Sequence, residues 1–562
     1  MCHIHIISTV FCVKLIIGKA MKMMKNKYLR IPHIFFLIPL TAFFFLLVSS
    51  LYSQEVIRTY PNSEKKFLSE DFEPILPLTS VPSKRSCKEI FFEYQIKLEK
   101  LAQVCEKCGM SLEARITRSY IYQKEPYFLK IPLLTVKTQK ENLPHDATNE
   151  QKKWFTTLRQ LQEHYANETF AMTEKLVAKK QGYGIVACVL QTLYINPDHV
   201  QARKFLGYSL YNDEWHSSWE VQKLENGYID DPKYGWLSSR QIKKYHNGER
   251  FYHNQWITQA EEEKKIIESF SGWKINTEHF SILSRVSLER GVEIGRFLEF
   301  YYQVWSHLFY PFIANEKQWT ARLHTTVPTV TKRHKVIHYR NRTEYVRELR
   351  KHDYIVSQSI GGYFPDLKCI FVYEPNPIVN EDCFNLFSML AHEVTHQLFN
   401  ECNITNSSYG KNNYSKLAQT ANFWAIEGIA ITAETFNLDF SDGKAIIGGF
   451  QNVLRMEDAL ITLLEEKKYL PMRKFVGMSR NEFQKFHDLN LLYSQAAGLT
   501  SFFLFYNEGT YCEAFVKYLY SIYQGVDDAN SLEQLTHKSF EELDEEYRNF
   551  MNNIYNKIIK TI

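Results

Sequence analysis

Residues 392–396 read His-Glu-Val-Thr-His, and no other stretch constrains the chain as much. Positions four apart on an α-helix stand one turn apart on the same face. His392 and His396 can therefore point at one ion, at zinc–nitrogen distances of about 2.0–2.1 Å. Glu393 leans toward the same open side, where a carboxylate takes a proton from a zinc-bound water rather than binding the metal itself. The surrounding pattern is helical. Phe387, Leu390, Val394 and Leu398 recur at three- and four-residue steps as an apolar stripe. Asn380, Glu381 and Asp382 precede that stripe and suit a helix start. The competing reading is a helix whose histidines are merely polar neighbours. A five-residue match is only moderately specific, so its context must decide.

A catalytic zinc takes three protein ligands and keeps a fourth position for water. Glu427, in Trp424-Ala-Ile-Glu427-Gly, is the candidate third ligand. From Ala421 to Phe436, the residues Phe423, Ile426, Ile429, Ala430 and Ala433 fall in helical register, with Thr420 or Asn422 as cap. A carboxylate on so apolar a helix is costly to bury without a partner, and a zinc ion removes that cost. Glu434, seven positions on and nearly on the same face, suits a hydrogen bond from a ligand histidine that fixes its tautomer. The alternative for both glutamates is solvation or a surface salt bridge.

His392-Glu-Val-Thr-His396-Gln-Leu, Trp424-Ala-Ile-Glu427-Gly-Ile-Ala and Tyr493-Ser-Gln-Ala-Ala together resemble the gluzincins, the zincins whose third ligand is a glutamate. More closely, they resemble the peptidase MA-like domains of exported bacterial proteins. The likeness covers roughly the C-terminal half. It implies a small mixed sheet before the motif helix, with an edge strand that pairs with an extended peptide. Ser359–Phe364 fits that edge strand, with Gly361, Gly362 and Tyr363 as substrate-binding residues, and Cys369–Tyr373 fits a buried strand. The alternative is that the two glycines only shape a hairpin. The likeness also implies that Tyr493 donates a hydrogen bond to the oxyanion; a core tyrosine is the competing role. His487 is a poorer functional candidate.

The 562 residues suffice for two or more domains, and 45% hydrophobic with 23% charged residues indicates a mostly globular chain. A net charge of +4, with no basic block interleaved with stacking aromatics, argues against a nucleic-acid partner. Lys22, Lys25, Lys27 and Arg30 precede an apolar run from Ile34 to Val48, followed by Ser49, Ser50 and Ser53. This is the layout of an export signal, with an uncleaved membrane anchor as the alternative. Cys105-Glu-Lys-Cys108 lacks a second such pair and reads as thiols or disulfide partners rather than a metal site, and Cys383 and Cys402 flank the motif helix.

The expected architecture is α+β: a zincin-like catalytic domain of small mixed sheet plus mainly helical C-terminal lobe, after a mostly helical N-terminal region with short β-hairpins. The expected divisions are an N-terminal extension with signal or anchor over 1–53, an accessory region over 54–265 and the metallopeptidase domain over 266–562. Within the accessory region, Leu190–Gly207 resembles one tetratricopeptide-like helix pair, and Asn226-Gly227 and Asn247-Gly248 suggest tight turns. The expected function is zinc-dependent hydrolysis of peptide bonds in a peptide or protein substrate, outside the cytoplasm. The alternatives are a catalytically silent peptide- or envelope-binding protein on the same fold, and a zinc hydrolase of non-peptide amides.

Overall fold

The computed structural model describes residues 86–561 apart from 122–127, 135–142, 144–145, 326, 328–331, 353–359, 377–384, 403–416, 440–443, 451–453 and 527. The N-terminal apolar run, the helix start at Asn380–Asp382 and Cys383 lie outside the described residues. Among the described residues no helix is long and apolar enough to cross a membrane. The chain divides into two units, Ser69–Asn552 and Met1–Leu68 with Asn553–Ile562. Of the second, only the end of the last helix is described. The fold is α+β, mostly helical with small sheets.

Four helices open the larger unit: α1 (Cys87–Lys107), α2 (Ser111–Ser119), α3 (Asn149–Ala178) and α4 (Gly182–Ile195). α1 starts on a Ser86/Glu89 capping box and buries Ile90, Tyr94, Leu98 and Leu101, one residue per turn. The sulfurs of Cys87 on α1 and Cys188 on α4 stand 2.7 Å apart. The Leu190–Gly207 stretch is the end of α4 and the six-residue α5 (Val200–Phe205). Pro197 separates them.

Three hairpin–helix modules follow. The first is β2 (Tyr208–Tyr211), β3 (Glu214–Ser217) and α6 (Ser218–Glu225), after a short β1 (Phe128–Pro132) earlier in the chain. The second is β4 (Tyr228–Asp231), β5 (Gly235–Ser238) and α7 (Ser239–His246), and the third is β6 (Glu249–Tyr252), β7 (Gln255–Thr258) and α8 (Gln259–Glu268). Here the structure corrects the turn assignment. Asn226 and Asn247 cap the C-terminal ends of α6 and α7, and Gly227 and Gly248 follow at φ +74° and +85°. That left-handed step after a helix is natural to glycine. The hairpins turn instead at Asn212-Asp213 and His253-Asn254, both with paired positive φ. The modules repeat: Gly207, Gly227 and Gly248 open them, Trp215, Trp236 and Trp256 recur in the second strands, and Ser217, Ser238 and Thr258 cap the helices through capping boxes. Residue 265, the expected boundary, falls inside α8.

The next stretch builds a five-stranded mixed sheet in the order β11-β12-β10-β9-β8. Its strands are β8 (Trp273–Asn276), β9 (Phe280–Ser284), β10 (His334–Tyr339), β11 (Gly361–Phe364) and β12 (Cys369–Tyr373). β9, β10 and β12 run parallel, and β8 and β11 are antiparallel edges. Parallel neighbours need crossovers, supplied by α9 (Leu288–Leu308) and α10 (Arg342–Arg350). Every residue of β12 is buried, as its unbroken apolar run implies. Cys369, Phe371 and Tyr373 pack with Tyr345 and Leu349 of α10. The motif helix α11 (Leu386–Glu401) lies against β11 and β12.

A bidentate ion pair ties α9 to this sheet. Arg290 Nε and Nη2 each lie 3.0 Å from a Glu374 oxygen, and His338 Nε2 lies 3.0 Å from Oε2. Burial alone raises the Glu374 carboxyl, but the adjacent His338 and the hydrogen-bonded Arg290 guanidinium outweigh it and bring it down to about 2. A depressed carboxylate stabilises the fold above its unfolded value of about 4.3 and loses that contribution as pH falls toward 2. Glu374→Gln is therefore expected to cost about 2 kcal/mol at pH 7 and almost nothing near pH 2. Urea unfolding at the two pH values measures it.

Beyond the motif helix come α12 (Phe423–Ala433), β13 (Asn437–Asp439), β14 (Lys444–Gly448), α13 (Leu454–Leu460), α14 (Arg480–Gln484), α15 (Leu489–Phe505) and α16 (Cys512–Tyr523). β14 pairs with β13 and with the distant β1. Trp424 is fully buried among Phe475, Phe503, Phe515 and Tyr518. Gly428 has a packing reason: a Cβ there would sit 2.2 Å from Thr500 Oγ1 and 2.7 Å from the Ala496 carbonyl. The absent side chain lets α12 lie directly on α15.

Candidate metal centre

α11 starts at Asn385, whose side chain accepts the Phe387 and Ser388 amides. Leu390, Val394 and Leu398 are fully buried, and Phe387 is half-buried. That burial turns the histidine face toward α12. His392 Nε2 and His396 Nε2 stand 3.2 Å apart. Thr395, between them, is held from α9 by Tyr301, with the two hydroxyls 2.5 Å apart.

The third group comes from α12. Every other residue of Phe423–Ala433 is buried, and only Glu427 is partly open. Its Oε2 lies 3.9 Å from His392 Nε2, and the candidate ligand atoms of His392, His396 and Glu427 all lie within 4.8 Å of one another. Ligand atoms about 2.0–2.1 Å from a tetrahedral ion stand roughly 3.3 Å apart. Separations of up to 4.8 Å would have to close to roughly 3.3 Å to seat one zinc-sized cation, and two imidazoles with one carboxylate is a donor set zinc accepts. Among the described residues, no other group of three histidine, cysteine or acidic side chains is so arranged.

Glu434 Oε1 lies 2.8 Å from His392 Nδ1. A proton on Nδ1 shared with that carboxylate leaves Nε2 as the nitrogen available to a metal. Arg455 Nη1 holds the same oxygen at 3.2 Å. Glu434→Ala is expected to weaken zinc binding by about 10–100-fold, measured by competition with a chromogenic chelator.

Burial pulls the His392 imidazole down, but Glu434, Glu393 and Glu427 outweigh it and leave it raised. Burial, His392 and Arg480 hold the His396 imidazole well below its ordinary value. Burial also raises the carboxyls of Glu393 and Glu427. A neutral-leaning imidazole at His396 and a Glu427 carboxylate lacking an adequate partner are what a cation would relieve.

Glu393 Oε2 accepts the backbone N–H of Tyr363 at 2.7 Å, so the edge strand β11 sits beside the candidate base. Gly361 brings the strand onto the motif helix, since a Cβ there would come within 2.5 Å of Met389 Sδ. Gly362 sits between Gly361 and Tyr363 on the strand. The Tyr363 side chain points away from solvent, its hydroxyl accepting from Asn400 Nδ2 at 2.8 Å. Tyr493, on α15, is half-buried, and the Arg455 guanidinium lies 4.8 Å from its ring centre. Burial and then the charge of Glu427 keep its phenol protonated well above the ordinary value, with Glu393 acting in the same direction. His487 is exposed.

Arg455 and Arg480 were not among the sequence candidates. Each lies on a short helix far along the chain, with no motif around it, and only the fold brings it to the centre. Comparison with protein-family models, with curated proteins and with solved structures finds no match. The functional reading therefore rests on this geometry.

Proposed function

We propose that this chain is a gluzincin-type zinc peptidase with a zincin-like catalytic half, acting on peptide bonds outside the cytoplasm. One observation carries the reading: His392, His396 and Glu427, from two separate helices, converge on one point with the Glu393 carboxylate beside it. The basic and then apolar N-terminus supports export.

A zinc ion bound there supplies a Lewis acid that polarises a carbonyl and acidifies water. His392, His396 and Glu427 would hold it, with Glu434 orienting His392. Glu393 takes the proton from the attacking water and returns it to the leaving amine. An extended peptide aligns along β11 at Gly361–Tyr363. Its main chain competes for the Tyr363 amide that Glu393 now accepts, so substrate alignment and release of the base are coupled. Tyr493 donates to the developing oxyanion. Tyr493→Phe is expected to lower kcat by about 10²-fold with KM little changed, as read from steady-state kinetics.

The test is metal analysis of wild type and His392→Ala, followed by a peptide-library cleavage assay. One zinc per chain in wild type only, with cleavage, supports the proposal. Zinc without cleavage favours the binding-protein reading, for which a 370 Å³ cavity lined by Trp215, Trp219 and Trp236 of the hairpin modules offers a site. No zinc refutes both forms of the metal reading.

A further inference from the structure

A second reactive cluster forms at the far end of the motif helix, around His334 at the start of β10. His334 Nδ1 lies 3.0 Å from Glu401 Oε2, and its Nε2 lies 3.7 Å from Cys402 Sγ. The Glu401 side chain is 2% exposed. It is fixed by Gln397 Nε2 at 3.1 Å, by the Tyr363 hydroxyl at 3.3 Å and by Lys332 Nζ at 3.5 Å. His334 is buried and Cys402 half-buried.

The three groups stand in series: the carboxylate orients the ring, and the ring faces the sulfur. A cationic imidazole within reach of a thiol, itself oriented by a carboxylate, is an arrangement that favours the nucleophilic thiolate. Burial pulls the His334 imidazole down, but hydrogen bonds to Cys402 and Glu401 outweigh it and push it up to about 9. A cation therefore faces the sulfur at neutral pH. Cys402 caps the C-terminal end of α11, where the helix dipole disfavours an anion, so the imidazole is the group that offsets it.

We propose that Cys402 is a modification site, a thiol activated by His334 and Glu401 for reaction with hydroperoxides and alkylating electrophiles. With a hydroperoxide, the Cys402 sulfur gives its proton to water and, as a thiolate facing the His334 imidazolium, attacks the hydroxyl-bearing peroxide oxygen. An S–O bond forms as the O–O bond breaks, and His334 gives its proton to the departing alkoxide. Cys402 is oxidised by two electrons to a sulfenic acid and the hydroperoxide is reduced to an alcohol. This chemistry does not depend on the metal centre and stands whether or not the chain cleaves peptides.

The test uses the full chain, reduced with a phosphine and treated with iodoacetamide at pH 6.5 beside N-acetylcysteine. Adducts on each cysteine are then quantified by peptide mass spectrometry. Cys402 is expected to react at least about tenfold faster than the free thiol. His334→Gln is expected to remove that advantage while Cys512, half-buried on α16, keeps its wild-type rate and reports an intact fold. Glu401→Gln, which keeps shape and loses charge, should slow Cys402 in the same direction and decides the matter if His334→Gln perturbs Cys512. A wild-type rate no faster than the free thiol, or a fast rate unaffected by the variant that leaves Cys512 unchanged, overturns the proposal.

Discussion

Glu393→Gln is expected to lower peptide hydrolysis by at least about 10³-fold, within the range that general acid–base catalysis spans, while zinc content stays at one per chain. The amide keeps the shape of the carboxylate and can still accept the Tyr363 N–H, which now lies 2.7 Å from Glu393 Oε2. What it loses is the ability to accept and return a proton. Since Glu393 is not a ligand in this arrangement, the centre itself should be unaffected. Steady-state kinetics on a cleavable peptide with metal analysis of the same sample reads both quantities. Retained activity would remove Glu393 from the mechanism, and lost zinc would reassign it as a ligand.

Glu427→Ala should have the opposite signature. It removes a ligand, so zinc affinity should fall by more than the roughly 100-fold that loss of a supporting hydrogen bond can cost. Without metal the sign reverses. Burial raises the Glu427 carboxyl because no sufficient partner offsets it. Removing an uncompensated carboxylate should therefore stabilise the metal-free fold by about 1–3 kcal/mol. Wild type should gain melting temperature on adding zinc and the variant should not. A glutamate serving only as a salt-bridge partner would show no loss of the zinc response, and the metal-free variant would be less stable.

The parts of the centre legible in the sequence were those set by local periodicity. The i, i+4 histidines, the apolar stripe beside them and the Trp-x-x-Glu-Gly helix each depend on a single element. The strand at Cys369–Tyr373 was readable as a short apolar run. What escaped depends on contacts distant in sequence. Arg455 reaches Glu434, and β1 pairs with β14 across more than three hundred residues. The hairpin repeat was hidden for another reason. Little more than a glycine, a tryptophan and a capping-box pair recurs per module, and the Asn-Gly pairs that signal a hairpin elsewhere end helices here. Local chemistry admits both uses of Asn-Gly, since each needs a left-handed glycine, and only the neighbouring strands decide.

The most direct measurement is anomalous diffraction at the zinc absorption edge from crystals of the full chain. The account predicts one peak about 2.0–2.2 Å from His392 Nε2, His396 Nε2 and a Glu427 oxygen, with Glu434 still on His392 Nδ1. A peak elsewhere, or an ion on the two histidines with Glu427 turned away, would contradict it.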